Sequence, residues 1–226
     1  LSEWANYFCY GCPNGYSAMG GQTLHPYGRK ILDTGGSSSG SGVSTTSNLA
    51  AASLGSETSG SILSPSSANS LVGMKPTIGN VSRAGIVPIS STLDTAGPMT
   101  KFVIDNILIY NAINDFDPLD DYSVENYDIR IKEVVENKLE EYTIGYYKSF
   151  YERDSLYKNA IDFLIEEGVK LQAIDAPQIR LEGFAKILDE DMRYDLRSYL
   201  FFYGSKNLKV EDISSIIKYN EMDSVE

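Results

Sequence analysis

Gly35-Gly36-Ser37-Ser38-Ser39-Gly40-Ser41 and Gly55-Ser56-Glu57-Thr58-Ser59-Gly60-Ser61 are two serine-glycine runs that set Ser37 and Ser61 24 positions apart. The second run continues into Ile62 and reaches Pro65. Between Thr34 and Ser70, 18 of 37 residues are Ser or Thr, a composition that by itself describes a flexible linker. Against a linker stand the apolar residues threaded through it: Val43, Leu49, Ala50-Ala51-Ala52, Leu54, Ile62, Leu63, Leu71 and Val72. A linker has no use for them, so the stretch reads as packed structure. Ser44 to Ala52 is expected to form a helix behind the first run, with Ser53-Leu54 leading into the second.

The second run has the make-up of a site for acyl transfer. A serine hydroxyl is a weak nucleophile unless a base takes its proton and donors stabilise the oxyanion it creates. Thr58, Ser59, Gly60 and Ser61 put successive backbone N–H groups on a tight turn. Their small side chains let a substrate carbonyl come close to that backbone.

The two runs, with Leu71-Val72-Gly73-Met74-Lys75-Pro76-Thr77 after them, resemble the amidase signature family. Gly85-Ile86-Val87-Pro88-Ile89 and Leu93-Asp94-Thr95-Ala96-Gly97-Pro98-Met99-Thr100 are similar to that family's next two blocks, the second of which packs under the site. Upstream, Leu1-Ser2-Glu3-Trp4-Ala5-Asn6 and Gly15-Tyr16-Ser17-Ala18-Met19-Gly20-Gly21-Gln22-Thr23 resemble the branch that includes peptide amidases. The resemblance implies Ser61 as nucleophile and the amides of Thr58, Ser59, Gly60 and Ser61 as oxyanion hole. It implies Ser37 as a relay serine held through a cis peptide bond, supported by Ser38 and Ser56. The family's base is a lysine that acts neutral, and the resemblance puts it upstream of Leu1. Many members read Asp-Thr-Gly-Gly-Ser-Ile-Arg where this chain has Glu57-Thr58-Ser59-Gly60-Ser61-Ile62-Leu63. The substitutions keep the backbone donors and bear on substrate choice; with no cation after the nucleophile, a small carboxylated substrate is not expected. Lys75 tempts as a replacement base, but the family carries a lysine in that block with a structural role.

Composition bounds the partners. The formal net charge is −12, placed unevenly: residues 1–101 hold four acidic and five basic side chains, residues 102–226 hold 27 and 14. Nucleic acid and anionic membranes are poor partners for such a surface, and the acidity is expected on solvated helices. No apolar stretch approaches the length of a membrane span. No cofactor or metal is implied: Cys9 and Cys12 form a lone Cys-x-x-Cys, His25 is the only other soft ligand nearby, and a zinc site needs four. His25, before Pro26-Tyr27-Gly28, is expected to be a turn residue. A cytoplasmic location is the expectation.

In the second half, Tyr142 to Tyr147 reads as a strand. Asp154 or Ser155 then caps a helix through Glu167, with Leu156, Ala160, Phe163 and Leu164 on its inner face and Gly168 as stop. Val169 to Ile174 is a second strand, which makes a parallel βαβ unit. Phe102 to Ala112, Ile179 to Tyr203 and Val210 to Tyr219 read as helical, the last with Val210, Ile213, Ile216 and Ile217 inward. Asp115 to Asn126 is an acidic connection, and Tyr199, Phe201, Phe202 and Tyr203 are expected to pack in a core. The fold class expected is α/β, a mixed, largely parallel sheet sandwiched by helices and incomplete here. Residues 1–226 would be part of a single amidase signature domain, with 1–101 its catalytic region and 102–226 its helical and βαβ region. The function implied is serine-dependent hydrolysis of a carboxamide or amidated peptide, with the missing family segments or a second copy as partner. The alternatives are an inactive truncated relative and an ammonia-generating glutaminase like that of the tRNA-dependent amidotransferases.

Overall fold

The computed structural model describes residues 13–17, 20–177 and 180–222. Short strands β1 (Tyr16–Ser17) and β2 (Gly21–Gln22) precede α1 (Ser39–Thr46), β3 (Ser53–Glu57), α2 (Leu63–Ala68), β4 (Val72–Gly73), β5 (Thr95–Thr100) and α3 (Val103–Ile113). Next come α4 (Ile131–Glu136), a 3-10 turn (Leu139–Glu141), β6 (Thr143–Tyr147), α5 (Lys148–Arg153), α6 (Ser155–Glu166) and β7 (Lys170–Ile174). Helices α7 (Phe184–Tyr203) and α8 (Ile213–Asn220) follow. The described residues through Ile129 and from Gly183 onward form one compact unit, and Arg130–Glu182 form another. The class is α/β, as expected, with antiparallel and parallel pairings both present.

The first unit is built on β5. It lies between β3 and β4, antiparallel to both, and pairs Gly55 with Gly97, Glu57 with Thr95 and Val72 with Thr100. Every residue of β5 is buried, Pro98 among them. The Pro98 carbonyl takes two donors, Met74 N at 3.0 Å and Asn106 Nδ2 at 3.1 Å. Asn106 on α3 also reaches the Val72 carbonyl at 2.8 Å, so one buried amide ties the helix to two strands. Beneath them Val81, Ala96 and Tyr110 form a core cluster with Met74, Ile86, Ile113 and Ile129.

Helix α1 departs from the expected Ser44 to Ala52. It starts at Ser39 and ends at Thr46, and the chain turns away at Asn48, whose φ is +60°. Alanine has the best helix propensity, but Ala50 to Ala52 lead into β3 instead. What selects the earlier segment is tertiary: hydroxyls that disfavour an isolated helix find partners around it. Ser39 Oγ donates to the Gly35 carbonyl, Ser41 Oγ to that of Leu54 at 2.7 Å, and Thr45 Oγ1 to Ser53 Oγ at 2.8 Å.

The acidic connection from Asp115 acts as a clamp. Asp117 accepts the Ser82 hydroxyl at 2.6 Å. Asp120 takes Arg83 in a two-pronged ion pair, Nη2 to Oδ1 at 2.7 Å and Nε to Oδ2 at 2.9 Å, and both side chains are nearly buried. The Arg83 guanidinium also lies 4.6 Å from the centre of the Tyr122 ring. That arginine, by hydrogen bond and charge, draws the Asp120 pKa down to about 2.

In the second unit β6 and β7 pair in parallel, Thr143 with Lys170 through Tyr147 with Ile174, with α6 between them in sequence, as expected. Asp154 caps α6 by accepting Leu156 N and Tyr157 N at 2.9 Å, and Gly168 takes φ +79° after its end. The inner face is a correction: Ile161 is the buried residue of the helix, while Leu156 and Phe163 are exposed. Tyr157 and Leu164 flank Ile161 on its half-buried stripe, one turn away on either side. Back in the first unit, the aromatics at the end of α7 are another correction. Phe201 is 81% exposed and Phe202 74%, stacked edge-on to each other, so neither is core. Helix α8 starts later than expected, at Ile213, because Asp212 forms a capping box with Ser215. Ile213 and Ile216 are half-buried and Ile217 is exposed. Ile179, Cys9 and Cys12 lie outside the described residues. No helix among the described residues is long and apolar enough to cross a membrane.

Two outcomes follow from these anchors. Replacing Asp154 by Ala removes the cap of α6 and should cost about 1 kcal/mol in urea unfolding. Asp120 sits below the ordinary 3.8 in the fold, so its ionised form stabilises the fold above that value, and the contribution is lost as pH falls toward about 2. Urea midpoints of the unaltered chain and Asp120→Asn should therefore differ by a constant amount near neutral pH and converge between those two values. A gap that persists at the acid end would mean that the ion pair is not its source.

Candidate active site

The two serine-glycine runs meet through Ser38, which is fully buried. Its N–H donates to the Ser61 carbonyl at 3.1 Å, its hydroxyl donates to the Ser56 carbonyl at 3.2 Å, and that hydroxyl accepts Ser56 N–H at 3.3 Å. This contact requires glycine at 55, where a Cβ would sit 2.8 Å from Ser38 Oγ. Gly35 is equally constrained: its φ is +65°, and a Cβ would stand 2.6 Å from the Pro65 Cα on α2. The peptide bond between Gly36 and Ser37 is cis. Ser37 and Ser61 are both half-buried, at the edge of this packing. Their hydroxyls are not hydrogen-bonded to each other; Ser38 is what joins the runs.

Between β3 and α2 the chain turns through Thr58, Ser59, Gly60 and Ser61. None of the four backbone N–H groups finds an acceptor among the described residues. Backbone donors without a protein acceptor are satisfied by water or a bound group, and here four consecutive residues lack one. Ser59 is exposed, and Gly60, at φ +88°, has nothing within 4 Å of where a Cβ would be. Beside Gly60 the turn therefore borders open space.

Carboxylates hold both ends of that turn. Glu57, only 3% exposed, accepts Ile62 N at 2.8 Å and Leu63 N at 2.9 Å. It thereby takes the orphan donors where α2 begins, and its negative charge suits that position. Thr58 donates its hydroxyl to Asp94. The other oxygen of Asp94 accepts Ile89 N and Ser90 N, both at 2.8 Å. Burial pushes the Asp94 pKa above its ordinary value, although its hydrogen bonds and the Arg83 charge act to lower it.

The segment behind Asp94 is fixed in turn by α7. Ser90 Oγ donates to Asp191, and Ser91 N to Asp195 at 2.6 Å. Asp94, Asp195, Arg83, Tyr122 and Tyr203 line part of a cavity of about 310 Å³ in this unit. Sequence reasoning passed over Glu57 and Asp94 as site residues. A buried acid gives itself away in sequence only by sitting in an otherwise uncharged, small-residue stretch, as both of these do.

Two other residues are placed plainly. His25 is buried; its Nδ1 accepts Tyr27 N at 3.2 Å and its Nε2 meets the Ala68 carbonyl at 3.0 Å. Together these bonds make Nε2 the donor, so the ring is an anchor between a turn and the end of α2. Lys75, the tempting base, is exposed on the segment after β4.

Known proteins resemble this chain in both sequence and fold. The family model Amidase matches residues 3–206. A probable amidase of Arabidopsis thaliana is 51% identical over 123 residues, covering 54% of this chain and 23% of that protein. A glutamyl-tRNA(Gln) amidotransferase subunit from Neisseria meningitidis is 37% identical over 153 residues, 65% of this chain and 32% of that protein. Among solved structures, an amidase family protein from Bacillus anthracis superposes with TM-score 0.85 at 33% identity, covering 99% of this chain and 45% of its own. Native peptide amidase from Stenotrophomonas maltophilia superposes with TM-score 0.83 at 31% identity, covering 97% and 46%. The chain spans less than half the length of each of these proteins. With nine-tenths of its residues inside the family match, and the stitched serine-glycine runs at its centre, the chain belongs to the amidase family.

Proposed function

We propose that this chain carries the nucleophile and the oxyanion donors of a serine-dependent amide hydrolase. The observation that carries the reading is the turn at Thr58–Ser61, four consecutive N–H groups without acceptors among the described residues, ending on a half-buried serine. In this reading the Ser61 hydroxyl oxygen attacks the amide carbonyl carbon and its proton passes to Ser37. Ser37 gives its own proton to a neutral lysine, which the family pattern puts upstream of Leu1. The carbonyl oxygen becomes an oxyanion held by the turn. Loss of one such donor typically costs about 2.7–4 kcal/mol of transition-state stabilisation. Collapse breaks the C–N bond, the amine or ammonia leaves with a proton from the relay, and water releases the acyl group from Ser61 by the same route.

Ser38 and Ser56 support the relay by fixing the backbone on either side of it. The substrate class is a carboxamide or an amidated peptide, a reading supported by the likeness to peptide amidase. A second reading, the glutamine-hydrolysing component of an amidotransferase with partner subunits, draws on the identity to the Neisseria protein.

Labelling with a fluorophosphonate probe, mapped by peptide mass, tests the proposal. It should be run on the chain alone and on the chain joined to an upstream segment bearing the family's lysine. Adduct at Ser61 in either form, absent from Ser61→Ala, is the expected result. A folded chain that stays unmodified in both forms would point to an inactive relative. Ammonia release from a simple amide or an amidated peptide, without partner subunits, separates the first reading from the second. Release from glutamine that appears only when partner subunits are added would favour the amidotransferase.

A further inference from the structure

We propose that Asp94 is a positioning residue for the Thr58–Ser61 turn, holding Thr58 by its hydroxyl so that the N–H groups of the turn keep a fixed direction. The assignment rests on the reading of that turn as the oxyanion site.

The turn cannot hold itself. Its N–H groups bond nothing within it, its residues are small, and Gly60 is free of neighbours on the outer side. At its far end Glu57 fixes Ile62 and Leu63, so the start of α2 does not move. At its near end the pairing of β3 with β5 stops at Glu57 and Thr95. Thr58, the next residue, has one side-chain bond, and that bond goes to Asp94. Without it the turn would be free to rotate about its first residue.

Asp94 is suited to this because it does not follow Thr58. One of its oxygens is occupied by the two N–H groups of Ile89 and Ser90, and Ser90 and Ser91 are fastened to Asp191 and Asp195 on α7. Its other oxygen has Thr58 as partner. The backbone donors explain the first oxygen, and Thr58 explains the second. No cation is bonded to it, since Arg83 is engaged by Asp120 and the Ser91 carbonyl. Burying a carboxylate on neutral donors alone is costly, and a residue serving only the 89–90 turn would not need the second oxygen.

The test is a double-mutant cycle on the rate of fluorophosphonate modification of Ser61, in whichever form of the protein labels. The phosphoryl oxygen of the probe occupies the oxyanion position, so the rate reads the turn directly. Thr58→Val and Asp94→Ala should each slow modification about tenfold, and the pair together no further, as for residues in one hydrogen-bond network. Asp94→Asn should recover most of the rate. Its amide oxygen can accept the two N–H groups while its Nδ2 donates to the Thr58 hydroxyl; Thr58→Val, which leaves the 89–90 bonds in place, is what separates positioning from a merely structural role.

If Asp94→Ala fails to fold, Thr58→Val decides alone, because it leaves every other bond of Asp94 in place. Unchanged modification of Thr58→Val, or losses that multiply in the double variant, overturns the assignment while the oxyanion reading stands. A folded protein unmodified in both forms removes the oxyanion reading and this assignment together.

Discussion

The buried hydroxyl and N–H of Ser38 are what the site depends on. Through them the start of α1, the end of β3 and Ser61, two residues before α2, are joined, with Met99 and Ile62 packed beside Gly55 at the junction. Backbone brought that close leaves no room at Gly35 or Gly55 for even one carbon. The low side-chain volume of the segment is therefore the condition for the contact. A packed core of methylenes would have held the same elements several ångströms apart, and the Thr58–Ser61 turn could not then sit beside Ser37.

A core made of hydroxyls is stable only if each one is matched, because an unpaired buried polar group costs about 1–3 kcal/mol. Here Ser39, Ser41 and Ser44 of α1 donate to the carbonyls of Gly35, Leu54 and Ser41, and Thr45 donates to Ser53 on β3, which donates in turn to the Ser41 carbonyl. Against that background the four unmatched N–H groups at Thr58–Ser61 stand out. They lie on a turn that is exposed or half-buried throughout, with open space beside Gly60. The matched groups hold the loop, and the unmatched ones are those that the proposed function would use.

The acidic side chains divide by the same logic. Most of the 31 are exposed, on the helices and connecting segments after Phe102, and do what net charge does for a surface. Glu57, Asp94 and Asp120 are buried, and each takes backbone N–H groups from a segment with no regular pairing of its own. A carboxylate accepts several donors at once, which a hydroxyl or amide of similar size cannot. That capacity suits these residues to fix irregular loops around a site.

Much of this was legible in the chain itself. The paired serine-glycine runs marked the candidate site, and the alternation of strand, cap, helix and glycine stop from Tyr142 to Ile174 marked the parallel pair, because local geometry dictates those signals. The sequence missed the extent of α1, the inner face of α6 and the exposure of Phe201 and Phe202. In each case helix propensity or apolar content was outweighed by what lay opposite in space. It also could not show that Asp94 meets Thr58 across 36 residues, or that Asp120 meets Arg83 across 37. Spacing along the chain determined which backbone could form the turn. Only the tertiary structure decided which distant carboxylates hold it, since a hydrogen bond depends on position in space and leaves no periodic trace in sequence.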